Sequence, residues 1–271
     1  MAIVLISRGT FSGGKAVAEE LAMRLGYPCV SREDIIRDAV RQFNVSEEKL
    51  TSTLAGKSGS RIGALGGEAA HLNYLRVALL EKVLDGKIIY HGHAVQYLLG
   101  KMKGALRVRI NADMTYRINS AMRQHRLSRE QTTTMINELD KQSARWARVM
   151  YGVDWNDPFL FDVVFNLECL SIQSVVDILV QMTMLDEFTP DESSRKTLEN
   201  LRLESMVWAV LAKGRRTHAA SVDVSADNGR VTIRGSVGSK QVVNEIIAVA
   251  QNVPGVRSVT SHIGIGSNWL W

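Results

Sequence analysis

The sequence predicts an α/β protein: a parallel sheet covered by helices on both faces, followed by a smaller α+β module. Three observations predict it. The apolar run Ile3-Val4-Leu5-Ile6 leads through the glycine-rich stretch Gly9-Thr10-Phe11-Ser12-Gly13-Gly14-Lys15-Ala16 into Val17, Leu21 and Leu25, which recur at helical spacing. Strand and helix signals then alternate to about residue 186, the pattern of a parallel sheet with crossover helices. From residue 195 the rhythm changes to helix, hairpin, helix and strand, with Asp227-Asn228-Gly229 as the hairpin turn.

The first strand is Ile3 to Ser7 and the first helix Lys15 to Leu25. Tyr27 to Val30 is a short second strand, and Glu33 to Phe43 a second helix. Asn44 to Gly67 is polar and rich in Gly and Ser, which predicts a mobile insertion. The next helix carries Leu72, Leu75, Leu79, Leu80 and Val83 on one side, and Asp85-Gly86 stops it. Ile88 to Tyr90, Leu106 to Ile110 and Phe161 to Phe165 are the third, fourth and fifth strands. Between the last two, Ser128-Arg129-Glu130-Gln131 has capping-box spacing, and Met135, Ile136, Leu139, Trp146 and Met150 form an apolar stripe. Residues 1–186 thus form one domain and 187–196 a linker. Residues 197–266 follow an αββαβ pattern, with a helix from Arg195 to Lys213 and strands Ser221 to Ser225 and Arg230 to Arg234. Helix Lys240 to Asn252 turns at Val253-Pro254-Gly255 into a last strand, Val256 to Ile263.

Composition narrows the function classes. The 271 residues are 45% hydrophobic and 23% charged, with a formal net charge of +5, which suits a globular chain with a substantial core. From Asp191 onward there are ten Lys/Arg against seven Asp/Glu, and 23 against 21 before it. Neither part is strongly basic, and basic residues are not interleaved with aromatics, so nucleic acid is not the expected partner. Cys29 and Cys169 lie far apart in apolar sequence and read as buried free thiols in a reducing compartment. The N-terminal apolar run is too short for a signal peptide, and no apolar stretch is long enough to span a bilayer. A cytoplasmic protein is expected. The terminal Trp269-Leu270-Trp271 suits docking on the chain itself or on a second copy in a homo-oligomer.

A strand, a glycine-rich turn ending in Gly-Lys, and a helix make a phosphate-binding loop. Glycines let successive N–H groups turn inward, and the helix N-terminus adds partial positive charge. Gly9, Thr10, Phe11, Ser12, Gly13, Gly14, Lys15 and Ala16 are the expected nucleotide-binding residues, with Lys15 reaching the outer phosphates. Ala16 stands where a Ser or Thr hydroxyl commonly holds magnesium. Lys141, Arg145 and Arg148 recur at i, i+4 and i+7 and share a helix face. They are placed either to close over phosphate or to form a solvated face on which Glu138 pairs with Lys141.

Residues 1 to 186 resemble the cytidylate kinase-like family of nucleoside monophosphate kinases. The resemblance rests on Ile6-Ser7-Arg8, Leu25-Gly26-Tyr27, Ser31-Arg32-Glu33, Gly92-His93-Ala94 and Arg109-Ile110. Its most distinctive stretch is Tyr151-Gly152-Val153-Asp154-Trp155-Asn156-Asp157-Pro158, followed by Leu170-Ser171-Ile172. It implies a P-loop kinase fold with a five-stranded parallel sheet, a mobile acceptor-binding insertion and an arginine-bearing lid. It also implies transfer of the γ-phosphoryl group of ATP, with Mg²⁺, to a nucleoside monophosphate such as CMP. In that reading Arg145, with Lys141 or Arg148, closes on the transferring group, Arg117 is a second clamp, and Ser31 and Arg32 take the acceptor phosphate. The C-terminal stretches Val224 to Val237 and Val253 to Val259 resemble a BON domain, which implies a module for a small ligand or a lipid surface.

Three residues depart from the family pattern. Ala16 and Val17 supply no hydroxyl after the loop lysine, so Mg²⁺ would be held by phosphates and water rather than by the loop. His93 stands where the family carries an arginine. A kinase-derived protein that binds nucleotide and transfers nothing is therefore the competing reading.

Overall fold

The computed structural model describes residues 2–54, 68–92, 99 and 102–266. Their described parts fall into two compact units. Met1–Ile35, Leu54–Gly56 and Asp85–Ser194 make the first, and Ile36–Thr53, Lys57–Leu84 and Arg195–Trp271 the second. Compactness thus cuts across chain order.

The first unit is built on β1 (Ile3–Arg8), β2 (Cys29–Ser31), β3 (Ile88–Gly92), β4 (Ala105–Asn111) and β5 (Val163–Asn166), in the order β2-β3-β1-β4-β5. All adjacent pairs are parallel; Ser7 of β1 lies between Gly92 of β3 and Arg109 of β4. Helix α1 (Gly14–Leu25) packs Val17, Ala18 and Leu21 onto Val4, Ile6, Leu106 and Val108, joined by Val175, Val176 and Leu179 of a helix at Ile172–Met182. Each aliphatic side chain so buried contributes about 1.5–3 kcal/mol, and this layer fixes the loop that follows β1. Helices α2 (Arg32–Phe43), α3 (Glu47–Leu54), α4 (Glu68–Val83), α5 (Met114–His125) and α6 (Arg129–Tyr151) follow in chain order, and the helix at Ile172–Met182 is α7.

Several boundaries differ from the sequence reading, each for a local reason. Strand β2 begins at Cys29 because Gly26 (φ +66) and the Tyr27 N–H close α1, Tyr27 donating to Ala22 O at 3.1 Å. Strand β5 begins at Val163 because Asp162 is held by Arg107, whose Nη2 lies 2.6 Å from Oδ1 and whose own N–H donates to Oδ2 at 2.8 Å. The insertion carries a helix, α3, started by Ser46, whose carbonyl accepts from Leu50 N–H at 3.2 Å. The rest of the insertion, 55–67, lies outside the described residues, as do His93 and Trp269 to Trp271. The segment expected as a linker is fastened to β4: Gly104 N–H donates to Glu187 O, and Lys103 pairs with Asp191 at 2.8 Å. Asp191 also caps α8 (Glu192–Lys213), accepting from Ser194 N–H at 2.8 Å, so this helix starts three residues early.

The capping box at Ser128 and Gln131 is formed on both sides. Leu139 leaves the expected stripe and is exposed. Both cysteines are free, but Cys169 is exposed in the turn after β5 and Cys29 is half-buried, where desolvation raises its thiol to about 11. No helix among the described residues is long and apolar enough to cross a membrane.

The second unit contains a three-stranded sheet, β6 (Ser221–Asp227), β7 (Arg230–Val237) and β8 (Ser258–Ile265). Asn228 (φ +50) and Gly229 (φ +82) form the hairpin turn between β6 and β7. Helix α9 (Lys240–Gln251) crosses from β7 to β8, which run parallel, and buries Ile246 and Ala250.

Candidate functional site

The loop after β1 lies at the carboxyl edge of the sheet, where parallel sheets take ligands. Gly9 N–H donates to Ile110 O at 3.1 Å and Ser12 N–H to Gly9 O at 3.2 Å, turning the chain back on itself. Phe11 and Gly13 have φ of +56 and +84. A Cβ on Gly14 would stand 2.6 Å from Arg8 Cβ, so only glycine lets α1 start this close to β1. The first bond of α1 runs from Val17 N–H to Gly13 O. The N–H groups of Gly14, Lys15 and Ala16 therefore have no acceptor inside the helix and face outward at its positive end. This is a cradle for anionic oxygens.

Two side chains of the expected set are committed to holding the loop. The Ser12 hydroxyl is buried, 2.7 Å from Ile110 O and 3.0 Å from Gly9 O, so its proton closes the turn. Arg117, on α5, donates Nε to Thr10 O at 2.7 Å and Nη2 to both Asp140 oxygens at 2.7–2.8 Å. The Phe11 ring packs on the apolar cluster of Ile118, Ala121 and Ile136 and meets His125 edge-on. The α5–α6 hairpin thus grips the loop from one side. Lys15 is exposed and pairs with Glu19 at 3.7 Å, a contact weak enough to be exchanged for phosphate.

A cavity of about 300 Å³ opens beside the loop, lined by Gly9, Ser12, Arg109, Arg117, Asp140 and Trp155 among others. Arg109 is the residue the sequence reading left without a role. Only 6% exposed, it donates Nε to Asn111 Oδ1 (2.9 Å) and Nη1 to Ser7 Oγ (3.0 Å), and lies 4.4 Å from the Trp155 ring centroid. The signal for it was present: Arg107 and Arg109 alternate in a strand otherwise buried on both faces, and a cation there must meet a partner or a ligand. Arg107 meets Asp162; Arg109 opens onto the cavity.

The expected acceptor side gathers around β2 and β3. Ser31 starts α2, its hydroxyl donating to Asp34 Oδ2 at 2.6 Å. Arg32 lies against Glu33, Nη2 to Oε1 at 2.9 Å, with Arg8 3.9 Å away on the other oxygen. Burial works to raise the Glu33 carboxyl, but Arg32, a backbone hydrogen bond and Arg8 outweigh it and hold it below its ordinary value. His91 is buried beneath them with Nδ1 unpartnered; desolvation first, and Arg8 next, lower its pKa to about 4. The imidazole is neutral at pH 7 and adds no charge to the site.

On α6 the cavity is lined by Asp140 and Ala144, whereas Lys141, Arg145 and Arg148 do not line it and are exposed. Lys141 pairs with Glu138 at 3.0 Å, the solvated arrangement. Ala16 and Val17 carry only methyl groups, and among the described residues no group of three or more His, Cys, Asp or Glu could hold a metal ion. Asp154 and Asp157 serve turns, accepting from Asn156 and Phe159 N–H at 2.9 Å. The outward N–H groups at the start of α1 suit phosphate oxygens.

Comparison with known proteins bears on this geometry. A family model described as the cytidylate kinase-like family matches residues 3–168, and a BON domain model matches residues 200–267. A protein named cytidylate kinase from Saccharolobus islandicus is 22% identical over 199 residues, covering 73% of this chain and 99% of the relative. One of the same name from Pyrobaculum arsenaticum is 22% identical over 183 residues, covering 68% and 93%. Among solved structures, an uncharacterized protein from Eubacterium ventriosum superposes with a TM-score of 0.52 at 14% identity, over 67% of this chain and 98% of that one. A shikimate kinase from Bacteroides thetaiotaomicron gives a TM-score of 0.41 at 12% identity, over 68% and 99%.

Proposed function

This chain belongs to the cytidylate kinase-like family, and from that premise we propose that it transfers the γ-phosphoryl group of ATP to a nucleoside monophosphate of the CMP type. The observation that carries the proposal is the row of outward N–H groups at Gly14, Lys15 and Ala16, held open by Gly13 and Gly14. Such a row, on a loop braced by Ser12 and Arg117, is preorganised for phosphate before any ligand arrives.

In this reading the loop amides from Phe11 to Lys15, apart from that of Ser12, bind the β-phosphate, and Lys15 leaves Glu19 to reach the γ-phosphate. Arg32 takes the acceptor phosphate, next to Ser31. An oxygen of that phosphate attacks the γ-phosphorus, the bond to the β–γ bridging oxygen breaks, and ADP and a second nucleoside diphosphate leave. Arg145, with Lys141 or Arg148, closes over the migrating group and excludes water. Arg109 and Trp155 line the wall of the same cavity and orient what enters it. Mg²⁺ would supply charge neutralisation for the phosphates, with no hydroxyl at Ala16 or Val17 to hold it. Residues 197–266 act as a ligand-sensing module joined through 187–196 to the kinase-like domain, 1–186.

The test is direct. Purified protein is mixed with ATP, Mg²⁺ and each nucleoside monophosphate in turn, and diphosphate formation is followed beside Lys15→Ala. Product with a cytidine acceptor, reduced about 100-fold or more by Lys15→Ala, is the expected result. ATP binding without product for any acceptor refutes transfer and favours the nucleotide-binding reading, which the missing hydroxyl at Ala16 and Val17 supports. ATP binding unchanged by Lys15→Ala refutes the loop assignment itself.

A further inference from the structure

The second compact unit contains a cavity of about 400 Å³ that shares no residue with the phosphate loop. Its walls come from α3, α4 and the end of α8 with the turn that follows. Lys49, His71, Lys213, Arg215 and His218 line it, and among the described residues no Asp or Glu does. None of Lys49, Lys213 and Arg215 forms an ion pair with a described residue. Lys49 from α3, Lys213 at the end of α8 and Arg215 in the turn after it thus bring three cations to one concave space, which leaves a positive field focused there. The carbonyls ending α8 account for a cation on that helix. They do not account for Lys49, which comes from α3.

The side chains around the cavity are oriented rather than loose. Thr53 Oγ1 donates to Lys49 O at 2.9 Å, so its oxygen accepts from His71 Nδ1 at 2.8 Å. His218 Nδ1 faces only carbonyls, Arg215 O at 2.9 Å and Gly214 O at 3.3 Å, and so carries the hydrogen. Lys213 Nζ stands 5.9 Å from the centroid of the Phe43 ring, which itself stacks on Tyr74 at 4.5 Å. Tyr74 is the second, independent observation. It is 4% exposed and lines the cavity, yet its hydroxyl has no hydrogen-bond partner among the described residues. The hydroxyl is open to the cavity rather than sealed in the core, so a ligand oxygen there can accept from it.

We propose that this cavity binds a small soluble anion carrying phosphate groups, of diphosphate to mononucleotide size. Multiple charge matches the converging cations, the volume lies in the range of small-molecule sites, and the Tyr74 hydroxyl donates to a phosphate oxygen. The proposal does not depend on phosphoryl transfer at the loop.

Calorimetric titration of the full chain carrying Lys15→Ala, with inorganic pyrophosphate as the probe, tests it. One saturable site is expected. Lys49→Gln, Lys213→Gln and Arg215→Gln combined should weaken it at least about tenfold. Tyr74→Phe should weaken it about threefold. The three cations are exposed, so the melting temperature of the triple variant reports an intact fold. Absence of saturable binding, or an unchanged dissociation constant in the triple variant, overturns the proposal. A third arm offers phosphatidylglycerol in phosphatidylcholine vesicles. Vesicle capture that is lost in the triple variant, with no binding of pyrophosphate, assigns the cations to a lipid headgroup and also overturns it.

Discussion

The phosphate loop and the cationic face of α6 are assigned to the same chemistry and are built in opposite ways. In the loop, Thr10 is held by Arg117, Ser12 by two carbonyls and Phe11 by the cluster on α5 and α6, and Arg8 leaves no room for a Cβ at Gly14. On α6, Arg145 and Arg148 are exposed, and Lys141 has only an exposed i,i+3 partner. The difference separates two tasks. Binding phosphate needs donors already in place, because reorganisation would consume the interaction energy. Closing over a transferring group needs side chains that are free until the ligand arrives. Substitutions in the loop should therefore cost stability and binding together, and those on α6 should cost turnover alone.

Variants that break this contrast fall in a definite order of stability loss. Gly14→Ala comes first: its Cβ would meet Arg8 Cβ at 2.6 Å and push α1 from β1. A loss of about 2–3 kcal/mol is expected by denaturant unfolding, together with loss of ATP binding. Retention of both would show that the close approach of helix and strand is not required. Arg117→Met follows. It frees Thr10 O and leaves the Asp140 carboxylate unpaired. Unfolding should show a cost of about 1–3 kcal/mol, and ATP should bind about tenfold more weakly. Arg117→Lys should recover little, since an ammonium cannot reproduce the two-sided fork.

Arg145→Ala should leave the unfolding free energy within about 0.5 kcal/mol of wild type while lowering kcat about 100-fold. An equal fall in stability would place Arg145 in the fold rather than in the lid. The remaining prediction is a pH dependence and concerns His91. Its pKa is lowered from 6.5 to about 4, so the unfolded chain takes up this proton first as the solution is acidified. The stability the neutral ring contributes is whole above pH 6.5 and is lost as pH falls from there toward about 4. His91→Leu should flatten the melting-temperature profile in that window and leave it unchanged above pH 7. A variant profile parallel to that of wild type throughout would mean that this proton is not linked to folding.

Much of the fold was legible in local sequence. The run Ile3 to Ile6, the spacing of Val17, Leu21 and Leu25, the box at Ser128 and Gln131 and the Asn228-Gly229 turn act over a few residues, and the structure contains each as read. Boundaries failed where a distant partner decided them. Asp162 belongs to Arg107, 55 positions away, and this pair delays β5. Lys103 fastens Asp191, 88 positions away, so the presumed linker is held against β4. The candidate site divides in the same manner. Gly13, Gly14 and Lys15 could be named from the motif because glycine conformation and helix ends are local properties.

The sequence by itself determined that a strand, a left-handed turn and a helix N-terminus would meet at residues 9–16, since φ preference and apolar spacing need no distant contact. Tertiary structure alone decided that Ser12 and Arg117 are spent inside the loop. It also decided that Arg109 faces the cavity across Trp155, and that five basic side chains from three segments converge around Tyr74. The physical reason is one of range. A hydrogen bond or a charge is satisfied by whatever the fold brings within 3–4 Å, and that partner is seldom a neighbour in the chain.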